Sequence, residues 1–133
     1  MPRNAKRNSR RRAEQPEQPK RNKFNAKKTT VDGYTFDSKA EADRYVELKY
    51  LQMAGEIDAL ELQPLFELQP GFKFGKRKIR PITYAADFRY RIVETGQIVV
   101  EDVKAIETEV FRMKRKMLLY VHGIEISMYS TLS

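Results

Sequence analysis

The chain has 133 residues and no cysteine, which excludes a disulfide framework, a thiolate zinc site and a Cys nucleophile. Its net charge of +8 sits at one end: residues 1–28 carry 11 Lys/Arg against 2 Glu, whereas the rest carries 15 against 16 Asp/Glu. No apolar run approaches the ~20 residues of a membrane span, and the basic start leads into no secretory-type apolar segment, so a soluble cytoplasmic protein with one domain-sized core is expected.

Residues 1–23 hold too little apolar surface to offset the entropy of ordering, and read as a basic arm that is disordered in isolation. Arg10, Arg11 and Arg12, with Lys27 and Lys28 beyond the arm, suit a polyanion, most simply nucleic acid. A solvated tail without a specific partner is the alternative. Residues 24–133 form the expected folded domain. In its entry segment, Asp32-Gly33 is a turn signal, and Tyr34 and Phe36 alternate as in a short strand or hairpin.

Ser38-Lys39-Ala40-Glu41 fits a capping box, with Ser38 at the N-cap and Glu41 at N3. The spacing of Ala42, Tyr45, Val46, Leu48 and Leu51 predicts a helix over 38–54 that Gly55 stops. Lys39, at its start, joins the cationic candidates for DNA contact. Alternation at Leu60 and Leu62, then at Phe66 and Leu68, predicts an extended strand interrupted by Pro64. Residues 71–80 follow as a basic loop with two phenylalanines, and there Lys76, Arg77 and Lys78 suit phosphate contact beside base stacking. A plain solvated hairpin loop explains this segment equally well.

Residues Tyr84–Lys104 predict a hairpin with strands over 82–92 and 97–104. A two-residue loop at Glu94-Thr95 pairs Val93 with Gly96, and therefore sets Asp87 opposite Asp102. A three-residue loop with Gly96 in a bulge shifts this by one position. Either register brings the two carboxylates to roughly 5–8 Å at the Cβ level, and strand alternation puts Lys104 on the face of Asp102. Like charges facing each other destabilise a hairpin, and a hard divalent cation between them would remove that conflict. The alternative is a Lys104–Asp102 surface ion pair. Glu101 points the other way, a second-choice ligand that otherwise reads as a solvent-facing strand acid. Glu41 is explained by its capping box, yet a helix N-terminus packed across the hairpin would make it a third carboxylate.

Ile106, Val110, Met113, Met117 and Tyr120–Val121 have helical spacing, with Arg112, Arg115 and Lys116 on the opposite side and Gly123 as the stop. His122 at the helix end reads as a partner of the helix dipole. GIEISMYS closes the chain as a strand. Helix, three strands, helix, strand makes an α/β domain with a small mixed sheet.

Asp87 followed by Asp102-Val103-Lys104, downstream of a helix bearing Glu41, resembles the PD-(D/E)XK nuclease superfamily, with Ala86 standing where the superfamily's name has proline. Ser38-Lys39-Ala40-Glu41-Ala42 is similar to its first-helix motif, and the element order is similar to its αβββαβ restriction-endonuclease-like core. Residues 23–126 further resemble a small phage-encoded family within it, related to Holliday junction resolvases and phage endonuclease I. The resemblance implies that Asp87 is the central metal ligand, Asp102 the second acid, Lys104 the catalytic lysine, Glu41 the first-helix acid and the Val103 main-chain carbonyl a further ligand. It implies a homodimeric, Mg²⁺-dependent DNA endonuclease acting on branched DNA in recombination, in the host cytoplasm if phage-encoded. Mn²⁺ suits the same oxygen ligands. The alternatives are a nicking or end-processing nuclease of the same fold, and a non-catalytic basic nucleic-acid-binding protein.

Overall fold

The computed structural model of the chain describes residues 27–103 and 107–130. The expected arm with Arg10, Arg11 and Arg12, and also Lys104 and Ile106, lie outside the described residues. Those described form two compact units that divide after Ala42.

In the first unit, β1 (Thr29–Val31) and β2 (Tyr34–Phe36) pair antiparallel with Val31 opposite Tyr34. Asp32 and Gly33 take φ of 53° and 82°, the left-handed pair that a two-residue type I′ turn requires. Helix α1 (Lys39–Met53) begins here. Ser38 Oγ accepts the Glu41 N–H at 3.1 Å and the Ser38 carbonyl accepts the Ala42 N–H at 3.2 Å, so Ser38 caps the helix.

In the second unit, α1 continues with Tyr45 and Leu48 buried, and its end is closed by Gly55 at φ 82°. There follow β3 (Ile57–Leu62), β4 (Leu65–Gln69), β5 (Phe72–Phe74), β6 (Arg77–Ile79), β7 (Ile82–Ala85), β8 (Phe88–Ile92), β9 (Ile98–Val103), α2 (Glu109–His122) and β10 (Ser127–Tyr129). One four-stranded sheet has the order β10-β9-β8-β3; β10 runs parallel to β9 and the other pairs are antiparallel. The fold is α/β around a small mixed sheet. β4 pairs with β7, and β5 with β6, as separate two-stranded ladders. Pro64 lies between β3 and β4, where its missing N–H leaves no gap in a ladder.

The expected first strand of the hairpin, 82–92, is in fact two strands. β7 pairs with β4, the chain bends at Ala86-Asp87, and β8 then pairs with β3 and β9. The bend lets one continuous segment serve two ladders. The β8–β9 register runs from Arg91 opposite Ile98 to Phe88 opposite Glu101, which is the register of the two-residue loop. The loop itself is longer. Ile92 donates to the Gln97 carbonyl at 2.8 Å and accepts from the Gly96 N–H at 2.7 Å, leaving Val93–Gly96 as a four-residue connection with Gly96 at φ 76°.

The core joins Phe66 and Leu68 of β4, Tyr84, Ala86, Val100, Leu118 and Ile126. Leu118 is fully buried where α2 packs on β4 and β7, which is worth roughly 1.5–3 kcal/mol. Of the expected stripe on α2, Met117 packs against the core as expected, but Val110, Met113, Tyr120 and Val121 are exposed, and Phe111 and Leu118 face the core in their place. This helix is apolar on two sides, and the side with Phe111 and Leu118 is the one turned inward. Thr108 caps it, its Oγ1 accepting the Phe111 N–H at 3.1 Å. No described helix is long and apolar enough to cross a membrane.

Candidate active site

Asp87 stands at the bend before β8, and Asp102 near the end of β9. The Asp87 N–H is shared between the Glu101 carbonyl (3.2 Å) and Asp102 Oδ1 (2.9 Å), and Asp87 Oδ2 accepts the Val103 N–H at 2.9 Å. Each carboxylate is thus tied to backbone beside the other. The bend makes this possible, because a straight strand would carry the Asp87 N–H along the ladder. Asp102 Oδ2 also accepts the hydroxyl of Tyr84, from β7.

Asp102 is buried, whereas Asp87 is half-buried. Burial pushes the Asp102 carboxyl above the usual carboxylate range. The bonds from Tyr84 and the Asp87 N–H, together with the nearby Arg115 charge, oppose that rise without cancelling it. Burial, then the bond to Asp102, pushes the Tyr84 hydroxyl well above its ordinary value, so it remains a donor. Among the described residues no Lys, Arg or His lies within ion-pair distance of Asp102.

Glu101, the adjacent residue, is treated differently. It is 2% exposed, so the expectation of a solvent-facing acid fails. Arg44 from α1 reaches it with Nε to Oε2 at 2.7 Å and Nη2 to Oε1 at 2.9 Å, and the Tyr90 hydroxyl donates to Oε1 at 2.7 Å. Arg44 also bonds Glu47 at 3.0 Å and stacks over Tyr129 at 3.8 Å, and the Tyr129 hydroxyl donates to Glu47 at 2.8 Å. Burial alone would lower the Arg44 pKa, but the bonds to Glu101 and Glu47 outweigh it and hold Arg44 above its usual value. Burial and the bond to Glu101 push Tyr90 up to about 12.

Of the expected site, Asp87, Asp102 and Val103 come together. Val103 contributes its N–H, to Asp87. Glu41 lies in the first turn of α1, in the first unit, and among the described residues no group of three or more His, Cys, Asp or Glu is arranged to hold a metal ion. Of the cationic candidates, Lys27, Lys28, Lys39, Lys76, Arg77, Lys78, Arg112 and Lys116 are exposed. Lys28 pairs with Asp37 at 3.6 Å, and Arg115 with Glu107 at 3.6 Å. Arg112, Arg115 and Lys116 line an open cleft of about 890 Å³ along α2. His122 Nε2 bonds the Glu67 carbonyl at 2.6 Å and so fixes the end of α2 against β4.

Tyr84, Arg44 and Tyr90 carry polar contacts that sequence reasoning did not assign. The run Val99-Val100-Glu101-Asp102-Val103 holds valines at both parities, the mark of a strand covered on both faces. That signal called for a cation opposite Glu101. Tyr84 gave no comparable signal, since its approach to Asp102 depends on the bend.

A family model described as "Protein of unknown function (DUF1064)" matches residues 21–129 of the chain. No curated protein and no solved structure matches it.

Proposed function

The chain belongs to the DUF1064 family, and we propose that it is a metal-dependent endonuclease that hydrolyses DNA phosphodiesters, selective for branched DNA such as a four-way junction. The observation that carries this reading is the interlocked pair Asp87 and Asp102, in which a buried carboxylate is met only by neutral donors among the described residues. An oxygen-only donor set suits a hard cation, and Mg²⁺ is commonly held by one or two carboxylates with water and substrate phosphate completing its shell. Asp87 and Asp102 would hold it, with the Val103 carbonyl as a further ligand the resemblance implies; Mn²⁺ fits the same set. When bound, the cation would polarise a phosphoryl oxygen and lower the pKa of a coordinated water.

The chain's own residues have separable tasks. Tyr84 orients Asp102 and keeps its proton, since its pKa is raised. The Val103 N–H orients Asp87. Lys104 would stabilise charge developing on the phosphoryl oxygens. Arg112, Arg115 and Lys116 line a cleft that suits flanking phosphates, and two copies of the chain would address paired strands.

The test is incubation with a synthetic four-way junction in Mg²⁺. Cleavage is expected, with loss in Asp87→Asn and Lys104→Ala; equal cleavage by those variants removes the site assignment. Comparable competition by unlabelled duplex would point to a nicking or end-processing enzyme instead. Binding without cleavage at any Mg²⁺ or Mn²⁺ concentration would leave a basic binding protein.

A further inference from the structure

The β5–β6 hairpin carries chemistry that the carboxylate site does not use. Gly75 and Lys76 form its two-residue turn, and Gly75, at φ 62°, supplies the left-handed first position that such turns ask of glycine. Phe72 pairs with Ile79, Lys73 with Lys78, and Phe74 with Arg77. Alternation therefore sorts the hairpin into two faces. One face holds Phe72, Phe74, Arg77 and Ile79, and the other holds Lys73 and Lys78.

Both faces are poorly explained by the fold. Phe72 is 49% and Phe74 66% exposed, so the rings are not core residues. Lys73 and Lys78 sit directly opposite each other, a like-charge pair that destabilises a two-stranded ladder. No Asp or Glu occurs between Glu67 and Asp87, while this stretch holds Lys73, Lys76, Arg77, Lys78 and Arg80. Among the described residues none of these five cations is in an ion pair. Among the described residues the hairpin also joins no other strand.

We propose that the β5–β6 hairpin is a nucleic-acid-binding finger that enters DNA where two strands part, stacking Phe74 on an unpaired base and setting Lys73 and Lys78 on the phosphates of the other strand. Charge complementarity selects the partner, since an uncompensated cationic face paired with an aromatic face matches a polyanion with exposed π-surfaces. The Arg77 guanidinium lies 5.6 Å from the Phe74 ring centroid and backs one side of it, so the ring is braced for stacking on the other. A paired duplex hides the flat faces of its bases, whereas a fork or junction exposes them beside a second backbone. The two opposed faces of the hairpin match that arrangement. The inference deepens the branched-DNA part of the proposed function and rests on it only for the identity of the polyanion.

The test is equilibrium binding of the Asp87→Asn protein, in EDTA, to fluorescently labelled fork and blunt duplex of equal length. Cleavage plays no part in this measurement, so its failure is distinguishable from failure of the catalytic reading. The unmodified hairpin should prefer the fork, and Phe74→Ala should weaken fork binding by about tenfold while leaving duplex binding within about twofold. Phe74→Trp should restore the preference and Phe74→Leu should not, which separates stacking from packing. Lys73→Ala/Lys78→Ala should weaken both ligands and flatten the slope of log affinity against log salt by about 1.4–1.8. Fork preference that survives Phe74→Ala, or an unchanged salt slope in the double lysine variant, would overturn the proposal.

Discussion

Glu101 and Asp102 are neighbours on β9, both nearly excluded from water, and the protein treats them in opposite ways. Glu101 meets a guanidinium in a two-point contact and a tyrosine hydroxyl, so its charge is matched within the molecule. Asp102 meets a tyrosine hydroxyl and a backbone N–H, both neutral, with Arg115 acting from beyond ion-pair range. A buried acid with its own cation is a structural tie: here it fastens α1 to β9. Among the described residues the hydrogen bonds to the Asp102 carboxylate come from neutral donors alone, and that is the state the proposed cation site would call for.

The contrast can be broken from the Glu101 side with the largest effect. Arg44→Leu leaves an unpaired buried carboxylate and should cost about 3–5 kcal/mol in urea unfolding, whereas Arg44→Leu combined with Glu101→Leu should recover most of that loss. If Arg44→Leu alone were close to neutral, Glu101 would not be the structural member of the pair. On the other side, Tyr84→Phe removes one donor from Asp102 and should cost about 1–3 kcal/mol, read by the same unfolding curves.

Titration sharpens the comparison further. Burial raises the folded-state pKa of Asp102, so its contribution to stability is fully present below the ordinary value of 3.8 and is lost as pH rises through the raised value. Asp102→Asn cannot ionise and should therefore melt higher than wild type at neutral pH, with the gap closing in acid. A variant that melts lower at neutral pH would mean that the Asp102 charge is already compensated. The smallest effect is alkaline. Tyr90 has its pKa raised from 10.0 to about 12, so the stability it contributes is complete below pH 10 and is lost as pH rises through about 12. Tyr90→Phe should show a shallower decline over that interval.

Much of this was legible because local rules and the tertiary structure agree. Ser38 caps α1, Gly55 and Gly123 close the two helices, Asp32-Gly33 turns the first hairpin, and Pro64 divides β3 from β4. The β8–β9 register, which ends at Phe88 opposite Glu101 and leaves Asp87 beside Asp102, was legible from turn arithmetic, although the loop that delivers it has four residues. The bend at Ala86-Asp87 was not, because a run of strand-forming residues does not reveal that its two halves pair with different partners. Periodicity also could not decide between the two apolar sides of α2, and it is Phe111 and Leu118 that the sheet covers. The Arg44–Glu101 pair spans 57 residues of sequence, so the valine run around Glu101 called for a cation without pointing to Arg44 as its source.

The most direct test of the contrast between these two acids is calorimetric titration of the purified protein with Mn²⁺, comparing wild type, Asp102→Asn and Tyr129→Phe, which removes the hydroxyl that bonds Glu47 in the Glu101 network and none of the hydrogen bonds to Asp87 or Asp102. Wild type and Tyr129→Phe should bind the ion alike, and Asp102→Asn should lose at least about tenfold in affinity. Binding by Asp102→Asn equal to that of wild type would contradict the assignment of Asp102 as the acid that awaits an external cation.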